Sequence, residues 1–250
     1  MAENQSRDLA LRLVPQNFAR ALVVEQFIDC VTASIDWKKL PQLSVTVVGG
    51  SNDEPEIAAL RELGFEVKVS VVGIDSPDSF VDLNGKPGAA AAGYPLGDLV
   101  LCSQVIEHVW HHRHFFEWLV RLTSEKSYLW LAAPAANRPH GSPGYFSAGF
   151  TSEYLANNLE ANGMRVQGNG MVGTTRLYYA ALTSPFWLSV FGHRLPPFTE
   201  ISVDSRWKRF ALRLRYAPMT IRLMFCSPEV RFDLRYATES WAWALGRDGT

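Results

Sequence analysis

Two stretches of this 250-residue sequence carry side chains able to do chemistry. In Glu107-His108-Val-Trp-His111-His112-Arg-His114, four imidazoles and a carboxylate fall within eight residues. On a helix, His108 and His112 stand at i and i+4, as do Glu107 and His111, so each pair shares a face. A histidine titrates near neutrality by type, which makes His108 a candidate general base, and i,i+4 imidazoles also suit a transition metal. Gln104, three residues before Glu107, is a neutral amide and so a weaker ligand for a hard cation than a carboxylate. A solvated or loop-lining histidine cluster is therefore the expectation, and no metal is assigned. His140, in the loop Ala135-Ala-Asn-Arg-Pro-His-Gly-Ser-Pro-Gly144, is the rival base. The second stretch is Val45-Thr-Val-Val-Gly-Gly-Ser-Asn-Asp-Glu-Pro-Glu-Ile-Ala-Ala-Leu60, a buried strand running into a two-glycine turn and then a helix. The turn at Gly49-Gly50 either touches a ligand or only joins the two elements. The phosphate-cradling pattern G-x-x-x-x-G-K-[ST] is absent, and the turn after Val48 does not carry the dinucleotide pattern G-x-G-x-x-G.

The elements that must position these residues follow from periodicity. Phe18, Leu22, Val23, Phe27, Val31 and Ile35 recur at mostly three- and four-residue steps and predict an amphipathic cover helix within residues 16–40. The β-branched run Ser44–Val48 has the composition of a strand buried on both faces of a parallel sheet. Asp53, Glu54 and Pro55 then open a helix, because acids favour the positive end of the helix dipole and proline suits the first turn. That helix stops at Gly64, and Phe65–Val72 is the next strand. Asp98–Cys102 and Tyr128–Ala133 are further strands, with helical spacing between them from Val105 to Leu122. A helix capped by Thr151 runs to Ala161, and strands at Met164–Gln167 and Arg176–Leu182 close the series. Alternating strands and helices make an α/β, doubly wound, mostly parallel sheet.

Three parts are expected along the chain: an N-terminal helical cover over 1–43, the α/β core over 44–182, and an aromatic, arginine-rich C-terminal extension over 183–250. With 47% hydrophobic and 20% charged residues, the chain is long enough for one sizeable core. A formal net charge of -1 gives no global pull toward nucleic acid, and none is expected as a partner. Cys30, Cys102 and Cys226 are odd in number and far apart, which fits a reducing cytoplasm rather than a disulfide framework. The N-terminal stretch reads as no signal peptide, and no window is apolar enough to span a membrane.

In a doubly wound sheet, ligands bind beyond the carboxyl ends of the strands at the topological switch point. The loops to inspect there are "GGSNDE", "GIDSPDSFVDLNG", "SQVIEHVWHH" and "PAANRPHGSPG". The segment "DLVLCSQVIEHV", followed by a helix, then "YLWLAAP" and "FTSEYLANNLEANGM", resembles class I S-adenosylmethionine-dependent methyltransferases, the broad group that includes small-molecule and sugar O-methyltransferases. The pattern covers roughly residues 44–182. The resemblance implies a Rossmann-like methyltransferase fold and S-adenosylmethionine as cofactor, with S-adenosylhomocysteine as its product. It further implies that Gly49 and Gly50 form the turn under the methionine part, that Asp75 accepts from the ribose hydroxyls, that Asp82 and Leu83 hold the adenine, and that Ser103 and Gln104 line the cofactor from the fourth strand. The family's first loop carries glycines spaced G-x-G-x-G; here Ser51-Asn52-Asp53 follow Gly49-Gly50.

The implied reaction is methylation of an oxygen on a sugar, a glycan precursor or another small molecule, with His108 or His140 accepting its proton. A non-catalytic partner or scaffold that kept the fold and lost tight cofactor binding is the alternative, motivated by the missing glycines. In the extension, "RWKRFALRLRYAPMTIRLMF", Arg206–Phe225, holds six basic residues and no acid. It suits an amphipathic surface on anionic membrane, a wall for a phosphorylated, glycan or lipid-linked substrate, or a packed lid with solvated arginines. The expected location is cytoplasmic, with peripheral membrane contact through this segment left open.

Overall fold

The computed structural model describes residues 3–14, 18–36, 40, 42–74, 79–88, 94, 96–135, 149–172 and 239–246. Two helices, α1 (Glu3–Leu13) and α2 (Phe18–Ser34), precede the sheet. The strands are β1 (Gln42–Val48), β2 (Glu66–Gly73), β3 (Ser79–Phe80), β4 (Gly97–Ser103), β5 (Thr123–Pro134), β6 (Arg165–Val172) and β7 (Glu239–Leu245). Between them lie α3 (Pro55–Glu62), α4 (His112–Arg121) and α5 (Ser152–Ala161). The strands form one seven-stranded sheet in the order β3-β2-β1-β4-β5-β7-β6. Its first five members pair in parallel, and β7 runs antiparallel to both β5 and β6. The fold is the expected doubly wound, mostly parallel α/β sheet with an N-terminal helical cover.

Strand alternation divides the core into two layers, because successive side chains point to opposite faces. On one face Val45, Val47, Leu99, Leu101, Trp130 and Ala132 pack against Val24, Phe27, Ile28 and Val31 of α2 and Ile57 and Leu60 of α3. On the other, Val48, Val100, Cys102, Leu129 and Leu131 pack against Phe115, Phe116 and Leu119 of α4 and Leu155 and Leu159 of α5. The same logic places β7: Trp241 and Trp243 join the first layer, Ala242 and Ala244 the second. Trp241 stacks on Trp130 at 5.5 Å between ring centroids, and Trp243 stacks on Tyr128 at 4.9 Å. Offset-stacked aromatic pairs of this kind add to the burial of their area.

Several local expectations hold. Pro55 opens α3, and Thr151 accepts the Tyr154 amide at 3.2 Å as the cap of α5. Two do not. Residues 105–122 are not one helix: a single 3-10 turn, Ile106–His108, ends at an extended Val109, and α4 begins at His112. The side-chain oxygen of Asn84 accepts the amides of Trp110 and His111 at 2.9 and 3.3 Å, and a helix cannot continue where those donors point sideways. His108 and His112 therefore do not share a helix face, nor do Glu107 and His111. Second, residues 239–245, read in the sequence as extension, are a strand inside the sheet. The strand expected at Arg176–Leu182 and the basic segment 206–225 lie outside the described residues. Among the described residues, no helix is long and apolar enough to cross a membrane.

Candidate active site

The chain order of the sheet reverses at β1, whose neighbours are β2 and β4, and a cavity of about 640 Å³ opens beyond the carboxyl ends of these strands. Its floor is the turn after β1. Gly49 has a φ of 69°, a left-handed conformation that favours glycine, and its amide donates to Val72 O at 2.8 Å. A Cβ on Gly49 would lie 2.9 Å from Cγ1 of Val105, and one on Gly50 would lie 2.6 Å from Oε1 of Glu54. The turn is glycine because side chains from the β4 exit and the α3 start crowd it from both sides.

Leu83, Val105, Val109 and Ile74 give the cavity apolar walls, while Ser51, Asn52, Asp53, Asn84, Gln104 and His108 supply polar groups. Among the described residues no lysine or arginine lines it, so this part of the wall offers a polyphosphate no lysine or arginine counter-charge. An apolar slot with a few polar groups suits a nucleoside better.

A buried polar network backs the floor. The Arg20 guanidinium of α2 donates to Oε2 of Glu56 at 2.7 Å and lies 3.5 Å from Glu54. Ser103 donates its hydroxyl to the other Glu56 oxygen at 2.9 Å. Glu54 accepts weakly from the Ser51 amide at 3.4 Å, and burial, then the neighbouring Glu56, pushes its carboxyl above the ordinary range. One strand further along, Gln104 Nε2 donates to Glu239 Oε2 at 2.8 Å, and burial pushes Glu239 up to about 7.

Five of the residues singled out in the sequence meet in the cavity: Gly49, Gly50, Leu83, Gln104 and His108. Ser103 turns away from it to Glu56. Asp82 is exposed and is not part of the lining; its carboxylate accepts the Asn84 amide at 3.0 Å and so closes its own turn. Asp75 and His140 lie outside the described residues. His108 sits on the cavity wall with its side chain 38% exposed, accessible to a reacting group. His112 is held 2.9 Å from the Tyr154 hydroxyl, and burial lowers its pKa, favouring the neutral ring. Among the described residues no three His, Cys, Asp or Glu side chains are grouped to hold a metal ion.

Asn84 was not singled out in the sequence, although it lies in "VDLNG". Besides receiving the Trp110 and His111 amides, its backbone carbonyl lies 2.8 Å from His114 Nδ1, and the Trp118 indole donates to the next carbonyl, Gly85 O, at 2.9 Å. These bonds latch the Leu83 wall to the His108–Val109 wall. Asn84→Ala should loosen the latch by about 1–2 kcal/mol, since two amides lose their acceptor. Faster hydrogen exchange at Trp110 and His111 would report it, and unchanged protection would show that the latch does not hold the loop.

No family model and no curated protein matches the sequence. Among solved structures the chain is similar to the 4+2 cyclase SpnF, at 13% identity over 90% of this chain and 82% of that one, with a TM-score of 0.48. It is also similar to phosphoethanolamine N-methyltransferase 2 of Haemonchus contortus in complex with S-adenosyl-L-methionine, at 10% identity over 90% of this chain, with a TM-score of 0.46; this chain covers 53% of that enzyme. A third is the O-methyltransferase of a trans-AT polyketide synthase multienzyme of Brevibacillus brevis in complex with S-adenosyl-L-homocysteine, at 14% identity over 96% of this chain and 79% of that one, TM-score 0.46.

Proposed function

We propose that this protein is a class I S-adenosylmethionine-dependent methyltransferase acting on an oxygen, and that its cofactor lies in the cavity at the β1/β4 switch point. One observation carries the reading. The segments "VTVVGG", "VDLNG" and "DLVLCSQVIEHV", which resemble the family's motifs and lie far apart in sequence, bring Gly49, Gly50, Leu83, Gln104 and His108 to one cavity. The residues present fit a nucleoside with an aminoacyl end: Leu83 and Val109 would pack on a flat ring, the close turn at Gly49 would let backbone approach the ligand, and Gln104 and Ser51 would give the other end hydrogen-bonding groups.

When bound, the cofactor supplies an electrophilic methyl group on a sulfonium. The protein's part is to hold the acceptor in line and to take up its proton. We take His108, whose side chain is 38% exposed on the cavity wall, as the group that would accept that proton. An acceptor on a sugar, a glycan precursor or another small molecule is the class that the family resemblance supports.

A second reading is favoured by Ser51, Asn52 and Asp53, which line the cavity where the family has small residues. In that reading the fold is kept for a non-catalytic partner role and tight cofactor binding is lost. Calorimetric titration with S-adenosylhomocysteine separates the two. Binding in the micromolar range, about 8 kcal/mol of affinity, is the expected result. No heat at hundreds of micromolar would sink the enzyme reading and leave the partner role.

A further inference from the structure

Gln104 is the one non-glycine residue with a positive φ, 58°, among the described residues. That conformation is uncommon for a glutamine, and strained backbone of this kind persists where its surroundings over-determine it. The surroundings do so at both ends: the Gln104 amide donates to Ala132 O at 2.9 Å, and the side-chain Nε2 donates to Glu239 Oε2 at 2.8 Å. Glu239 is the first residue of β7 and pairs with Pro134 of β5, so a strand from the far end of the sequence reaches the cavity wall. It is 8% exposed.

A carboxylate can only accept, so an ionised Glu239 takes the amide nitrogen of Gln104 and turns Oε1 away. A protonated Glu239 carries an O–H that can be given to Oε1, which releases the amide N–H groups. We propose that Glu239 and Gln104 form a proton-set selector in the cavity wall: with Glu239 ionised, Gln104 meets the ligand as an acceptor and takes an ammonium, and with Glu239 protonated it meets the ligand as a donor and takes a carboxylate. The proposal rests on the cofactor reading above. The charges facing Glu239 come from three elements: Arg20 of α2 favours its ionised form, while Glu107 of the 3-10 turn and Glu56 of α3 oppose it. Burial outweighs them all and brings the group to about 7, where both states are populated near neutrality.

Two thioether analogues of the adenosyl ligand test it, one ending in an aminopropyl group and one in a carboxypropyl group. Neither ligand changes its own charge between pH 6 and 8. Because only the ionised fraction of Glu239 suits the amine, the aminopropyl analogue should bind about tenfold tighter at pH 8 than at pH 6. The carboxypropyl analogue should show the opposite trend. Glu239→Gln, which keeps the shape and removes the titration, should flatten both dependences, and Gln104→Met should do the same if Glu239→Gln fails to fold. His108 is unchanged in both variants, so the difference from the parent belongs to the pair. Equal pH slopes in parent and variants would overturn the selector while leaving the cofactor reading standing. Failure of both analogues to bind the parent at any pH would overturn the cofactor reading and the selector with it.

Discussion

Arg20→Ala should destabilise the protein by about 3–5 kcal/mol, the range for breaking a buried ion pair by removing one partner. The Glu56 side chain is 1% exposed and that of Arg20 is 11%, so water cannot take over the bond lost at 2.7 Å. What the substitution leaves behind is a carboxylate at the start of α3, between Ser103 and Glu54, with its strongest counter-charge gone. Denaturant unfolding would measure the loss as a drop in midpoint at unchanged slope. Pairing Arg20→Met with Glu56→Gln removes both charges and should return most of the stability, because the pair's attraction is largely offset by its own desolvation. A loss below about 1 kcal/mol for Arg20→Ala would mean that the pair is solvated, as surface pairs are. The network would then not be what stiffens the cavity floor.

The second large effect is expected at Gly49. Gly49→Ala must place a Cβ at a φ of 69° and 2.9 Å from Val105, which itself lines the cavity. Left-handed backbone costs about 1–2 kcal/mol for a residue with a Cβ, and overpacking adds about 1–3 kcal/mol. Relief comes most readily by pushing Val105 toward the ligand space, so affinity for S-adenosylhomocysteine should fall at least tenfold as well. Gly64→Ala is the control. Gly64 also has a positive φ, 95°, but a Cβ there meets nothing within 4 Å. It should carry the backbone strain alone and leave the affinity unchanged. If both variants lose stability equally and neither loses affinity, the Gly49 turn is only a strand-to-helix joint.

These two positions differ in how far they could be read beforehand. Gly49 stands out in the sequence because two glycines between a β-branched run and an acid-led helix mark a tight turn. Arg20 does not, since an arginine on an amphipathic cover helix is ordinarily a solvated charge, and only the packing of α2 against α3 brings it to Glu56. The histidine cluster shows the converse. Its i,i+4 spacing is real in sequence, but Asn84, more than twenty residues earlier, takes the two amides at which the helix would have continued.

Short-range physics made the rest of the core legible. Runs such as Ser44–Val48 and Tyr128–Ala133, the proline at the start of α3 and the threonine cap of α5 act through neighbours a few residues away, so local sequence determined β1, β2, β4 and β5 and the starts of α3 and α5, while the break before α4, the place of β7 and the strand order were set by tertiary contacts. The partners of the site were decided by tertiary structure. The bond from Gln104 to Glu239 spans 135 residues, and Glu239 becomes a group that titrates near neutrality because β7 inserts beside β5 and takes its carboxyl out of water. Desolvation depends on what covers a group in three dimensions. No spacing along the chain encodes it, and that is why a glutamate in an aromatic-rich tail gave no sign that it faces the cavity wall.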